Sequence, residues 1–221
     1  MKKKIIFSIA LLILSGAKLY SQRIEVYSGV LKNHFYSIYD LNHTQSFPKF
    51  KEGSGYSFGV NIDNIYLDSF NVKFSAKITN YKGHIINRGT AKTAGFDAEA
   101  EINKNLFELG FYPFNIKIVK NLNIRLGCEM GFYIFDKTVG FYEEWPNGKF
   151  ELINDVEIKE NRNINFGLSG CIAYEIKIDK KLTIKPQYLY YLGVSEEFKE
   201  YFLGVNSIRQ HISIGIIYPI K

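Results

Sequence analysis

Leu122-Asn123-Ile124-Arg125-Leu126-Gly127-Cys128-Glu129-Met130-Gly131-Phe132-Tyr133-Ile134-Phe135 decides the fold. Leu122, Ile124, Leu126, Cys128, Met130, Phe132 and Ile134 share one parity, and Asn123, Arg125, Gly127, Glu129, Gly131 and Tyr133 share the other. Successive side chains of a strand point to opposite faces, so a period of two held this long reads as a strand with one apolar and one polar face. A helix would need its apolar residues three and four apart.

Seven further stretches alternate in the same way: residues 23–31, 55–62, 70–79, 101–114, 164–178, 182–192 and 208–218. Each reaches or approaches the ~9–11 residues of a tilted transmembrane strand. The connections alternate too. Long ones (32–54, 80–100, 136–163 and 193–207) follow the odd strands, and short ones (63–69, 115–121 and 179–181) follow the even strands. This order predicts an all-β fold: an eight-stranded antiparallel up-and-down transmembrane β-barrel with long outer loops and short periplasmic turns. A soluble lipocalin-like barrel is the structural alternative; it requires the apolar parity inside. Within the longest loop, Asn147-Gly148 favours the tight turn of a hairpin between 141–145 and 149–153.

The N-terminus supplies the address. Lys2, Lys3 and Lys4 precede an apolar run at 5–14, and small residues follow at Ser15, Gly16, Ala17 and Ser21. This is the pattern of a cleaved secretory signal, giving a signal peptide at 1–21 and a barrel domain at 22–221, with export to the bacterial outer membrane. No later stretch approaches the ~20 apolar residues of a membrane helix. The formal charge of +6 is concentrated in the leader. Without Lys2, Lys3, Lys4 and Lys18, 24 bases face 22 acids, and no nucleic-acid surface is expected.

Charge decides which parity faces inward. Lys73, Lys77, Glu108, Arg125, Glu129, Glu175, Lys177, Lys185 and Arg209 all lie on the polar parity. A Lys or Arg facing lipid at mid-depth costs about 2–4 kcal/mol, so these residues are expected to line the lumen. Eight strands enclose only enough room for side chains. Pairing is expected between Arg125 and Glu129, between Glu175 and Lys177, and between Glu108 and bases on neighbouring strands. Cys128 and Cys171 fall on opposite parities, which argues against a disulfide. Tyr20, Tyr56, Phe70, Phe111, Tyr112, Phe114, Tyr133, Phe135, Tyr190, Tyr191 and Tyr218 fall near strand ends, where interfacial aromatic girdles form.

From Leu106 onward the chain resembles the PorT-like small outer-membrane β-barrel family. Three stretches carry the resemblance: 107–117, a strand ending at Pro113 before a turn; 122–131, a central strand with Gly127 and Gly131; and 164–175 continuing to Pro186-Gln187-Tyr188 and Gly193. The resemblance implies an outer-membrane location and, as in some relatives, help with protein secretion or surface assembly.

Little in the chain suggests chemistry. His211-Ile212-Ser213 places an imidazole and a hydroxyl on one strand face, as a base and nucleophile require, and is similar to the His-x-Ser element of outer-membrane lipid A deacylases. Against catalysis, the pair is on the inward parity, Ile214 follows it, and no acid comes after Ser213. His34, His43 and His84 lie singly in loops, so no metal site and no cofactor is expected. Acids cluster in two loops, at Glu143, Glu144, Glu151, Asp155, Glu157 and Glu160, and at Glu196, Glu197 and Glu200. They read as solvated; the alternative is that they hold divalent cations alongside lipopolysaccharide, although no EF-hand spacing is present. Phe141, Tyr142, Trp145, Phe198, Tyr201 and Phe202 are loop residues able to form a partner surface. The sequence therefore favours a non-enzymatic barrel whose loops bind envelope or secretion proteins, surrounded by outer-membrane lipid and lipopolysaccharide. A narrow solute pore and a lipid A-modifying hydrolase using His211 and Ser213 stay open.

Overall fold

The computed structural model describes residues 23–37, 49–67, 70–90, 95–144, 151–157, 164–179, 182–197 and 205–219. The leader at 1–21, Tyr20, the Asn147-Gly148 turn, and Trp145, Phe198, Tyr201 and Phe202 lie outside the described residues.

Eight long strands form the wall: β1 (Arg23–Ser37), β2 (Gly53–Leu67), β3 (Phe70–Thr90), β4 (Gly95–Val119), β5 (Leu122–Glu144), β6 (Ile164–Tyr174), β7 (Thr183–Gly193) and β8 (Val205–Pro219). Each pairs antiparallel with its sequence neighbours. Along β1 and β8, from Arg23↔Pro219 to Ser37↔Val205, the first strand meets the last and the sheet closes into a barrel. Closure leaves no unpaired edge around the wall, the condition for crossing a bilayer with strands.

The burial pattern is inverted relative to a water-soluble barrel. Glu25, Lys73, Lys77, Glu108, Arg125, Glu129, Lys185 and Arg209 are buried inside, whereas Val30, Phe58, Ile78, Leu126, Leu168, Ile172, Ile212 and Ile214 face outward. β6 alternates without interruption from Ile164 to Ser169. The apolar parity is thus outside, which corrects the soluble alternative. Each outward apolar residue would forfeit ~25 cal/mol per Å² in water, and hydrocarbon removes that cost.

Two irregularities tune the register. Between Phe111 and Phe114 the pairing of β4 with β5 shifts. Pro113 cannot donate to the ladder and is tolerated at such a bulge. As a result Tyr112 is buried inside while Phe114, two residues on, points out. Gly127 lies so close across this bulge that a Cβ there would sit 2.1 Å from the Phe111 carbonyl oxygen. A second shift, where Asn105 pairs with Phe135 and Leu106 with Tyr133, leaves Ile134 and Phe135 both facing outward.

Three strands outgrow the wall. β3, β4 and β5 have 21, 25 and 23 residues, about twice the ~9–11 that a bilayer needs. Their extra length lies at the long-loop end and stays paired, out to Thr90↔Gly95 and Phe96↔Glu144. Stretches read as loop at 80–100 and 136–144 are therefore largely strand. Lys49–Lys51 adds to one side of this arm, against His84–Ile86 of β3. Glu151–Glu157 adds to the other side, against β5.

Candidate functional site

The lumen divides into layers set by which inward positions the strands bring to one height. Nearest the short turns, Lys73 of β3 and Lys185 of β7 share two acids. Glu25 Oε2 lies 3.1 Å from Lys73 Nζ and 2.9 Å from Lys185 Nζ, and Asp63 lies 3.3 Å from each. In the middle, Lys77 Nζ lies 2.7 Å from Glu129 and 3.6 Å from Glu108. Arg209 Nη1 donates to Glu108 Oε1 at 2.6 Å. Thr79 donates to Glu108, and Tyr112 to Glu129. Arg209 also stacks on Tyr191, 3.8 Å from the ring centroid, and lies 5.4 Å from that of Tyr81.

Toward the long loops, Glu197 reaches in from the β7–β8 connection. It accepts from Tyr81 at 2.5 Å, Lys104 at 3.2 Å and Asn165 at 3.0 Å. Burial raises its carboxyl pKa, but Lys104, Arg209 and hydrogen bonds from Ser207 and Tyr81 outweigh that and hold it below the ordinary 4.5. Toward the same end lies an apolar cluster: Leu31, Phe35, Tyr81, Ile85, Ala100, Ile102, Leu106 and Val205, with Phe50 against it. Among the described residues, six buried cations (Lys73, Lys77, Lys104, Arg125, Lys185 and Arg209) accompany five buried carboxylates (Glu25, Asp63, Glu108, Glu129 and Glu197).

The structure places Lys73, Lys77, Glu108, Arg125, Glu129, Lys185 and Arg209 in the lumen. Two expected lumen charges differ. Lys177 is exposed, because the regular ladder of β6 ends at Tyr174 and only the short Ile176–Lys177 piece continues, at the rim. Glu175 also sits at the rim and meets Arg23 at 3.0 Å, not Lys177. Arg125 does not pair with Glu129, which is engaged by Lys77 and Tyr112. It donates to Gln187 Oε1 at 2.7 Å and lies 2.9 Å from Cys171 Sγ. Cys128 and Cys171 are both free.

Alternation does not mark four members of the network. Glu25 shares its face with Tyr27 on the first strand. Asp63 falls in a predicted turn, and Lys104 is separated from Glu108 on its face by the apolar Leu106. Glu197 belongs to a loop cluster of acids whose sequence reads as solvated. Its burial comes from the folding back of its own loop, seen in Glu197 N donating to Val205 O at 2.8 Å, and alternation carries no signal for that. Among the aromatics, Tyr112 and Tyr191 are buried inside, and Tyr133 reaches Glu197 at 3.2 Å. They belong to the lumen, not to a girdle. Tyr56, Phe114, Phe135, Tyr190 and Tyr218 face outward.

His211 and Ser213 are both buried in the lumen. His211 Nδ1 lies 3.4 Å from Ser57 Oγ of β2. Of the partner-surface residues, Phe141 and Tyr142 fall on the outer part of β5, where Tyr142 pairs with Ile153. The strands on either side of Asn147-Gly148 therefore pair, from Tyr142↔Ile153 to Glu144↔Glu151. Among the described residues no cluster of His, Cys, Asp and Glu has metal-ligand geometry.

No family model matches the chain, and no curated protein is similar to it in sequence. The PorT-like resemblance rests on the three sequence stretches alone. Solved structures with related architecture are small barrels. Neisserial surface protein A aligns over 88% of this chain and 96% of its own, with 11% identity and a TM-score of 0.39. The outer membrane protein OprG from Pseudomonas aeruginosa aligns over 90% and 96%, with 9% identity and a TM-score of 0.40. Ail, the attachment invasion locus protein of Yersinia pestis, crystallised with a heparin analogue, aligns over 89% and 99%, with 10% identity and a TM-score of 0.36.

Proposed function

We propose that this chain is an outer-membrane barrel that does not conduct and that presents its tall β-hairpin arm to a protein partner, in secretion or surface assembly. The observation that carries this reading is the continuation of β3, β4 and β5 as a paired sheet far beyond bilayer thickness. Ordered strands outside the membrane have no use in spanning it. An arm broadened by Lys49–Lys51 and Glu151–Glu157 offers a rigid platform, and rigid elements lose less entropy on binding than mobile loops. The apolar belt is suited to outer-membrane lipid and lipopolysaccharide, and the leader to export.

The other two functions fit less well. A pore requires a continuous gap, and the ionic layers and the apolar cluster within the bore count against one. A lipid A hydrolase requires its base and nucleophile at the lipid surface, whereas His211 and Ser213 point into the lumen.

The test is extraction of tagged protein from envelopes in mild detergent, with mass spectrometry of what co-purifies. The comparison is a variant in which residues 140–157 are replaced by a two-residue Asn-Gly turn. The expected result is a reproducible set of envelope proteins with the intact chain, lost with the variant although its barrel still shows heat-modifiable migration. Equal capture by both would overturn the arm as the binding element, and conductance steps in a planar bilayer would overturn the closed lumen.

A further inference from the structure

Among the described residues the buried charges of the lumen do not cancel, and the excess is at Arg125. Five of the six buried cations have a carboxylate within 4 Å. Arg125 meets an amide oxygen and a cysteine sulfur instead. Its Nε is buried without a hydrogen-bond partner, and so is Nε2 of His211. An uncompensated charge and an unmade hydrogen bond in a water-poor interior are both costly.

A small cavity adjoins these groups. A water-sized sphere has about 10 Å³ of room for its centre there, so a single body somewhat larger than water fits. Lys73, Lys77, Arg125, His211 and Ser213 are among its lining residues, and no carboxylate is. Glu25, Asp63, Glu108 and Glu129, which pair with the two lysines, are not among its lining residues. The lining therefore holds three cations, of which Lys73 and Lys77 already have carboxylate partners and Arg125 has none, together with several hydroxyl groups and no anionic group. A monovalent ion balances an excess of one, whereas sulfate or phosphate would overshoot it and exceed the space.

We propose that this cavity holds one halide-sized monovalent anion, chloride, bound by Arg125 with Lys73 and Lys77 and enclosed when the barrel closes. The test is to refold the protein in detergent in sodium bromide, crystallise it and collect data at the bromine absorption edge. The expected result is a single anomalous peak in the lumen between Arg125 and the two lysines, lost in Arg125→Gln prepared identically and retained in Arg125→Lys. A wild-type lumen without that peak overturns the proposal, whether water fills the cavity or a Cys171 thiolate balances Arg125. A peak of equal occupancy in Arg125→Gln also overturns it. The wild-type result decides the question by itself if Arg125→Gln does not fold.

Discussion

Arg209 of β8 lies over the Tyr191 ring at 3.8 Å and donates to Glu108 of β4 at 2.6 Å. One guanidinium thereby satisfies a carboxylate across the bore and a ring on the adjacent strand β7. A lysine keeps the charge but lacks the planar fork that stacks and bonds together.

Arg209→Met is expected to destabilise the barrel by about 3–5 kcal/mol, because it leaves Glu108 buried with only Lys77 for charge. Arg209→Lys should fall between the variant and the parent, and the double variant Arg209→Met, Glu108→Gln should recover part of the loss. Urea unfolding in detergent, followed by heat-modifiable migration, measures all three. Equal stability of Arg209→Met and the parent would exclude the pair as a structural element.

Leu168→Arg tests which solvent the outer wall meets. Leu168 faces outward at 53% exposure, midway along β6. In a bilayer the substitution should cost about 2–4 kcal/mol, and in water almost nothing. Equilibrium folding into phospholipid vesicles reads the difference, and a cost near zero there would contradict the membrane-facing belt.

Gly83 and Phe35 form a matched pair at the apolar end of the bore. A Cβ on Gly83 would lie 2.2 Å from Phe35 Cε2. Gly83→Ala should therefore cost about 1–3 kcal/mol by overpacking, and Phe35→Ala about 3–5 kcal/mol by leaving a cavity. The double variant should lose clearly less than the two together. Strict additivity in a thermal unfolding cycle would mean that the ring moves aside without cost.

Glu197 predicts an acid limb. Its carboxyl is held below the ordinary 4.5 in the folded chain. Its contribution to stability is therefore complete above that value and is lost as pH falls from about 4.5 through the folded value. Glu197→Gln should lower stability at neutral pH and flatten the dependence below 4.5. Unfolding midpoints across that range measure it. An unchanged acid slope in the variant would assign the acid sensitivity to other carboxylates.

The wall was legible in the sequence because alternation is a local signal. Val26, Phe58, Leu126, Leu168 and Ile212 each announce their side by parity, and lipid tolerates no exception. The height of the arm was not legible, since a strand outside the bilayer has no obligation to alternate. The ion pairs were only half legible. Parity places Arg125 and Glu129 on one face, but barrel shear decides that Lys77, on the third strand, takes Glu129, and shear follows from register shifts such as the one at Pro113. Glu197 escaped entirely, because its position depends on how a loop folds back.

The closure of β8 onto β1 governs the order of events during insertion. The partners that neutralise the bore are distant along the chain: Lys185 and Glu25 are separated by 160 positions, Arg209 and Glu108 by 101. No fragment that stops before β8 contains the full set of pairs, since Arg209 lies on the last strand. A chain halted before its last strand holds Glu108 without Arg209 and lacks the seam that removes the two free edges. Stability therefore arrives late and all at once, in the manner of other non-local β topologies. An incomplete barrel is therefore marked by its two open edges and by a Glu108 that has lost its guanidinium.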